Sequence, residues 1–120
     1  TREEQNITNI QITGHSLGGG LALISAAQAK VPGIGVSAPN AMLGRTSYTP
    51  PLNKTDLNEL TFNIVPDNDI VPRCDDLAQN YQQIRCTADT GTFFGDAVAC
   101  HGNGLRTLCE LLYQCGTENR

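Results

Sequence analysis

Around Ser16 the chain passes from strand-like alternation to a run of strong helix formers, with only a glycine-rich turn between them. Asn6 to Thr13 places Ile10 and Ile12 on one face, the period of two expected of a strand. Leu21 to Lys30 is rich in Ala and Leu and stops at Val31-Pro32-Gly33, so it reads as a helix. Small or apolar residues surround nearly its whole circumference, which predicts burial on all sides. The joining segment Gly14-His15-Ser16-Leu17-Gly18-Gly19-Gly20 has the G-x-S-x-G spacing of a nucleophile elbow. A strand turning straight into a helix throws its middle side chain outward. Glycines two positions before and after remove Cβ atoms expected to collide there. Ser16 is therefore a candidate nucleophile at the C-terminal edge of a sheet, and the Leu17 backbone N–H is a candidate oxyanion donor.

Further strands are expected at Ile34 to Ala38, Leu60 to Val65 and Gln82 to Thr87, and a terminal helix at Leu105 to Tyr113. Arg45 to Asp56, with Pro50-Pro51, reads as a surface loop. Strand, helix and strand in that order imply an α/β fold with a parallel sheet. The 120 residues fit one domain. Net charge is −4 and the eight Lys and Arg are scattered singly, so no basic stripe exists to follow a phosphate backbone. Leu21 to Ala29, the longest nearly apolar stretch, is far short of the ~20 residues of a membrane span.

A serine nucleophile needs a base, and the base an orienting carboxylate. His15 adjoins the serine, where an elbow points its side chain away from the hydroxyl, so a structural role is expected. That leaves His101, in the apparent loop Ala99 to Gly104, as the base. The chain order Ser…Asp…His selects a carboxylate between the two. Asp69 follows the Leu60 to Val65 strand and is anchored by Ile70-Val71-Pro72, with Asp67 as its rival. Asp75, Asp76, Asp89 and Asp96 lie in polar surroundings and are expected to face solvent.

Four of the five cysteines fall after residue 85, heavy use for a reducing compartment. Their spacings match no zinc or C-x-x-C redox pattern, and only two His could serve as further ligands, so no metal site is implied. The expected bridges are Cys86 with Cys100 and Cys109 with Cys115, leaving Cys74 free or bonded elsewhere. Sequons at Asn6 and Asn53 fit a secreted or lumenal protein, Asn53 being the better glycosylation candidate in its polar loop.

Ile12 to Ala22 looks like the elbow of the class 3 (fungal-type) lipases. Ser37-Ala38-Pro39-Asn40-Ala41 resembles the segment that follows it there, and Asn68-Asp69-Ile70-Val71-Pro72 resembles that family's acid motif. Cys100 to Cys109 resembles a Cys-rich variant of its histidine region. The resemblance implies the C-terminal portion of an α/β-hydrolase fold, with a disulfide-stapled C-terminus and a Ser16–Asp69–His101 triad. It implies hydrolysis of acylglycerol or phospholipid esters without cofactor. Family members are about twice as long, so residues 1–120 correspond to their C-terminal half. The strands before the elbow, the lid and the second oxyanion donor are expected upstream of Thr1, which would make the N-terminal half of the same domain the main partner. Thr1-Arg2-Glu3-Glu4-Gln5 carries no apolar leader and reads as continuing from earlier polypeptide. The competing expectation is a catalytically idle hydrolase fold that binds or builds part of a larger assembly.

Overall fold

The computed structural model describes residues 9–102 and 104–115, with side chains at 104–106 and 114–115 left aside. Four strands, β1 (Ile12–His15), β2 (Gly33–Val36), β3 (Thr61–Pro66) and β4 (Tyr81–Ile84), lie side by side in chain order and are all parallel. Parallel neighbours need long crossovers. Helix α1 (Ser16–Ala29) makes the first, and α2 (Lys54–Leu60) lies in the second. After β4 come α3 (Phe93–Gly102) and α4 (Gly104–Cys115). The result is the expected α/β arrangement, a parallel sheet joined by helical crossovers.

Several boundaries differ from expectation. Asn9 to Gln11 join no strand and β1 begins at Ile12, while the Asn6 sequon and the rest of residues 1–8 lie outside the described residues. The elbow has no separate loop, because α1 begins at Ser16 itself. Strand β2 ends at Val36 because Ser37 turns into the left-handed region (φ 51°). The expected loop from Arg45 contains a 3-10 turn, Gly44–Ser47, and the start of α2. Its polarity is that of a helix start: Asn53 caps α2, its side-chain oxygen accepting from the Thr55 N–H at 2.8 Å, a role Asn fills well.

Helix α1 buries one face, Gly19, Gly20, Ala22, Leu23, Ala26 and Ala27, against β1 and β2. Burial on all sides is not what is found: Leu17 and Leu21, four positions apart on one face, are 71% and 57% exposed. The reason is that the sheet covers only one side of α1. Ala27, with Ile24 partly buried beside it, meets Ala41, Met42, Leu52 and Leu57 in a small core under α2. The sheet is likewise covered unevenly. Along β2 and β3, Gly33, Gly35, Thr61 and Asn63 are buried, whereas their alternates Ile34 and Phe62 are paired in register and each 37% exposed.

Buried Asn63 ties the strand ends together. Its Nδ2 donates to the Ala38 carbonyl (2.9 Å) and to Asn40 Oδ1 (3.2 Å), and its Oδ1 accepts from the Ala38 N–H (3.3 Å). Asn40 Nδ2 in turn donates to the Pro72 carbonyl at 2.6 Å, fastening the segment after β2 to the one after β3. Ser37, in the same segment, is fully buried at positive φ and its Oγ has no partner among the described residues. Left-handed backbone strains a side chain, and an unmade buried hydrogen bond costs about 1–3 kcal/mol. Ser37→Gly removes both defects, so it is expected to stabilise the fold by roughly 1–2 kcal/mol even after the added chain entropy of glycine. Ser37→Ala, keeping the strain, is expected to gain less; urea unfolding of both variants checks the order.

Candidate active site

The residues singled out as nucleophile, acid and base meet at the C-terminal edge of the sheet. Ser16 leaves β1, Asp69 leaves β3, and His101 arrives on α3. Ser16 sits at φ 56°, the strained backbone of an elbow, and such strain is held only where the surroundings over-determine it. A Cβ on Gly14 would lie 2.3 Å from the Gly18 carbonyl oxygen and 2.8 Å from the Gly19 nitrogen. A Cβ on Gly19 would lie 2.8 Å from both the Gly14 oxygen and the Ala38 Cβ. A Cβ on Gly18 would meet nothing within 4 Å. The tight crossing of strand and helix therefore requires Gly14 and Gly19, and the steric role expected of Gly18 falls to its neighbour.

Gly14→Ala is accordingly expected to destabilise the fold by at least about 3 kcal/mol, since the obstructing atoms are backbone. Gly18→Ala is expected to be neutral or to stabilise by up to ~1 kcal/mol, the difference in helix propensity. Thermal unfolding of the pair checks the contrast.

The Ser16 hydroxyl donates to His101 Nε2 at 2.7 Å. On the far side of the ring, His101 Nδ1–H donates to Asp69, with both carboxylate oxygens at 3.1 Å. Asp69 is fully buried and the His101 side chain is 22% exposed. Burying a carboxylate is expensive unless it is hydrogen-bonded. Asp69 meets that need with the imidazole and the Val71 N–H, which donates to Oδ1 at 3.0 Å. Its rival Asp67 faces elsewhere, its Oδ1 accepting from Gln83 Nε2 at 2.5 Å. Leu17 is the second residue of α1, among the first four N–H groups that have no acceptor inside a helix.

Three features differ from expectation. His101 occupies the last turn of α3 rather than a loop, because Ala97 and Cys100, three apart, bury one helical face beneath it. His15, expected to have a structural role, meets the residue that bonds the serine: its Nε2–H donates to the His101 backbone carbonyl at 3.0 Å, with the two rings 5.4 Å apart. It thus fastens the turn that carries His101, a contact between distant segments that no local pattern announces. Asp76 and Asp89 face solvent, but Asp75 and Asp96 do not do so freely. Asp75 accepts from the Leu43 and Gly44 N–H groups, and Asp96 from the Thr90 N–H and hydroxyl.

Cys86 and Cys100 form the expected bridge, linking the segment after β4 to α3. The second expected bridge is not formed: Cys109 is free and exposed. The cause is helical geometry, because Cys109 and Cys115 both lie in α4. Six residues of α-helix rise about 9 Å, beyond the ~7 Å over which Cα atoms can be bridged. Cys74 is free and exposed, its thiol directed at the Ile70 carbonyl (3.6 Å).

No curated protein matches the chain at a significant level. The family model for lipase (class 3) matches residues 1–78, a span that includes the elbow, the segment after β2, and Asp69, and stops before His101. That match covers well over half of the 120 residues and accords with the parallel sheet and the Ser16 elbow. The chain belongs to the class 3 lipase family, whose members are lipase-type ester hydrolases.

Proposed function

We propose that Ser16, His101 and Asp69 form the catalytic triad of a serine carboxylic-ester hydrolase acting on acylglycerol or phospholipid esters. The observation that carries this reading is the unbroken line of hydrogen bonds from the Ser16 hydroxyl through the His101 ring to buried Asp69. In that line the imidazole carries its proton on Nδ1 and offers the Nε2 lone pair to the serine. Ser16 Oγ attacks the ester carbonyl while Nε2 takes its proton. The oxyanion is stabilised by the Leu17 N–H at the positive end of α1. His101 then gives the proton to the departing alkoxide. A water molecule, deprotonated by the same Nε2, releases the acid from Ser16. Asp69 fixes the tautomer and stabilises the imidazolium formed at each step.

The acyl-binding surface and the remaining oxyanion donor belong, in this reading, to the N-terminal half of the same hydrolase domain, residues 1–120 being its C-terminal half. Support comes from the uncovered apolar surface. Parallel sheets are ordinarily covered on both faces, whereas Ile34 and Phe62 are partly open and Leu17 and Leu21 project beside the nucleophile. The concavity beside Pro50-Pro51 and the one between Arg85 and Tyr113 contain no triad residue. The same apolar surface suits contact with a lipid interface. No helix among the described residues is long and apolar enough to cross a membrane. The Cys86–Cys100 bridge favours the secretory pathway, where exposed Asn53 would carry a glycan on Nδ2.

A fluorophosphonate ester applied to the full-length protein tests the assignment. Covalent labelling confined to Ser16, and lost in Ser16→Ala, is the expected result. A folded, bridge-intact protein that resists labelling would instead favour the idle, assembly-building alternative.

A further inference from the structure

Acid and base come from segments that share one neighbour. Cys100 immediately precedes His101 and is bonded through sulfur to Cys86, just beyond β4. The backbone carbonyl of Cys86 accepts from Asn68 Nδ2 at 3.4 Å, and Asn68 immediately precedes Asp69. Two residues before Cys86, the Ile84 carbonyl accepts from the Asp67 N–H at 2.8 Å. The end of β4 therefore grips the acid loop through two hydrogen bonds and the base helix through a covalent bond. Both cysteines are buried, Cys86 at 5% and Cys100 at 1% exposure, and both adjoining backbones are constrained. Asn68 is held in the left-handed region at φ 63°, and His101 is anchored by His15 at its own carbonyl.

Resting on the triad reading above, we propose that Cys86 is a positioning residue, setting the distance between Asp69 and His101 through its bridge to Cys100 and its carbonyl contact with Asn68. It touches no reacting atom. Its effect is to hold the His101 ring where one nitrogen meets the carboxylate and the other meets Ser16. A purely stabilising bridge could close any pair of surface loops, whereas this one joins the residue before the base to the strand end that holds the acid. Displacement of a catalytic group by about 1 Å is enough for a loss near 10²-fold.

The test uses the full-length protein, its Cys86→Ala/Cys100→Ala double variant and Asn68→Gly. Glycine accepts the left-handed backbone while removing only the side-chain contact. Far-UV circular dichroism selects a temperature at which each variant is folded. Turnover of p-nitrophenyl butyrate and the downfield proton resonance of the His101 Nδ1–H are then recorded. The double variant is expected to lose about 10²-fold in kcat with KM within twofold, and to lose the downfield resonance. Asn68→Gly is expected to lose about tenfold, with the resonance broadened. A folded double variant with kcat within threefold of the parent and the resonance intact overturns the proposal. Should the double variant not fold, an Asn68→Gly protein with unchanged kcat and resonance overturns it equally. If the parent neither hydrolyses ester nor labels at Ser16, the triad reading has failed, and the resonance in the variants still decides whether Cys86 positions the pair.

Discussion

Ser16→Ala and His101→Ala are each expected to lower kcat about 10⁶-fold, and the double replacement to lower it no further. In the proposed mechanism one proton passes between the hydroxyl and the imidazole, 2.7 Å apart, so neither can act without the other. A loss of 10⁶ corresponds to about 8 kcal/mol of transition-state stabilisation. That far exceeds the worth of the ground-state hydrogen bond, about 1 kcal/mol, because the larger part is realised only as charge develops. Stopped assays on p-nitrophenyl butyrate with each single variant and the double measure the floor. Two losses that multiply would show that the residues act independently and would refute the shared mechanism. Fold stability should hardly change in Ser16→Ala, since alanine keeps the strained backbone at φ 56°. Ser16→Gly, which releases that strain, should be more stable by roughly 1–2 kcal/mol.

Asp69→Asn is expected to lower kcat about 10⁴-fold with little change in KM. The direction follows from the Val71 N–H, which donates to Asp69 Oδ1 and needs an acceptor oxygen there. An asparagine then places its NH₂ at the Oδ2 position, 3.1 Å from His101 Nδ1, which favours the tautomer with Nδ1 as acceptor and the ring proton on Nε2. A protonated Nε2 has no lone pair for the serine, and the base is disabled although every heavy atom stays in place. The same enzyme assay measures the loss, and the downfield Nδ1 proton resonance should vanish with it. Asp67→Asn is the control: its carboxylate contacts Gln83 rather than the histidine, and kcat should stay within a few-fold of the parent.

The turn at Ser16, the loop around Asp69 and the succession of strand, helix and strand were legible in the sequence because each rests on local rules. Glycine spacing, the strand-to-helix switch and the Pro66 and Pro72 punctuation all act within a few residues of Ser16 or Asp69. What escaped depended on contacts between distant segments. His101 read as a loop residue because Gly102 and Gly104 flank it, and the helix beneath it buries only Ala97 and Cys100 while Phe93 and Phe94 stay exposed. So weak an apolar stripe carries little periodic signal. The partners of His15 and Asn63 escaped for the same reason. A histidine beside a nucleophile and an asparagine inside a strand acquire their roles only when the His101 carbonyl and the Ala38 backbone arrive beside them. Gly18 belongs to the motif by spacing, but the crowded position is Gly19, because α1 starts at once and its first turn rolls that residue onto Gly14. A third glycine in the run left that distinction invisible.

In the proposed triad the serine precedes its base by 85 positions and the acid precedes it by 32, an order with a temporal meaning. As the polypeptide is synthesised, the elbow emerges first, then the acid, and the base last. At ~5–20 residues per second, several seconds separate the making of the nucleophile from the making of its activator. Throughout that interval Ser16 is an ordinary hydroxyl. On the triad reading, a chain interrupted before α3 has docked lacks its base and is expected to be inert toward esters, so that Ser16 gains its reactivity only once the helix carrying His101 is in place.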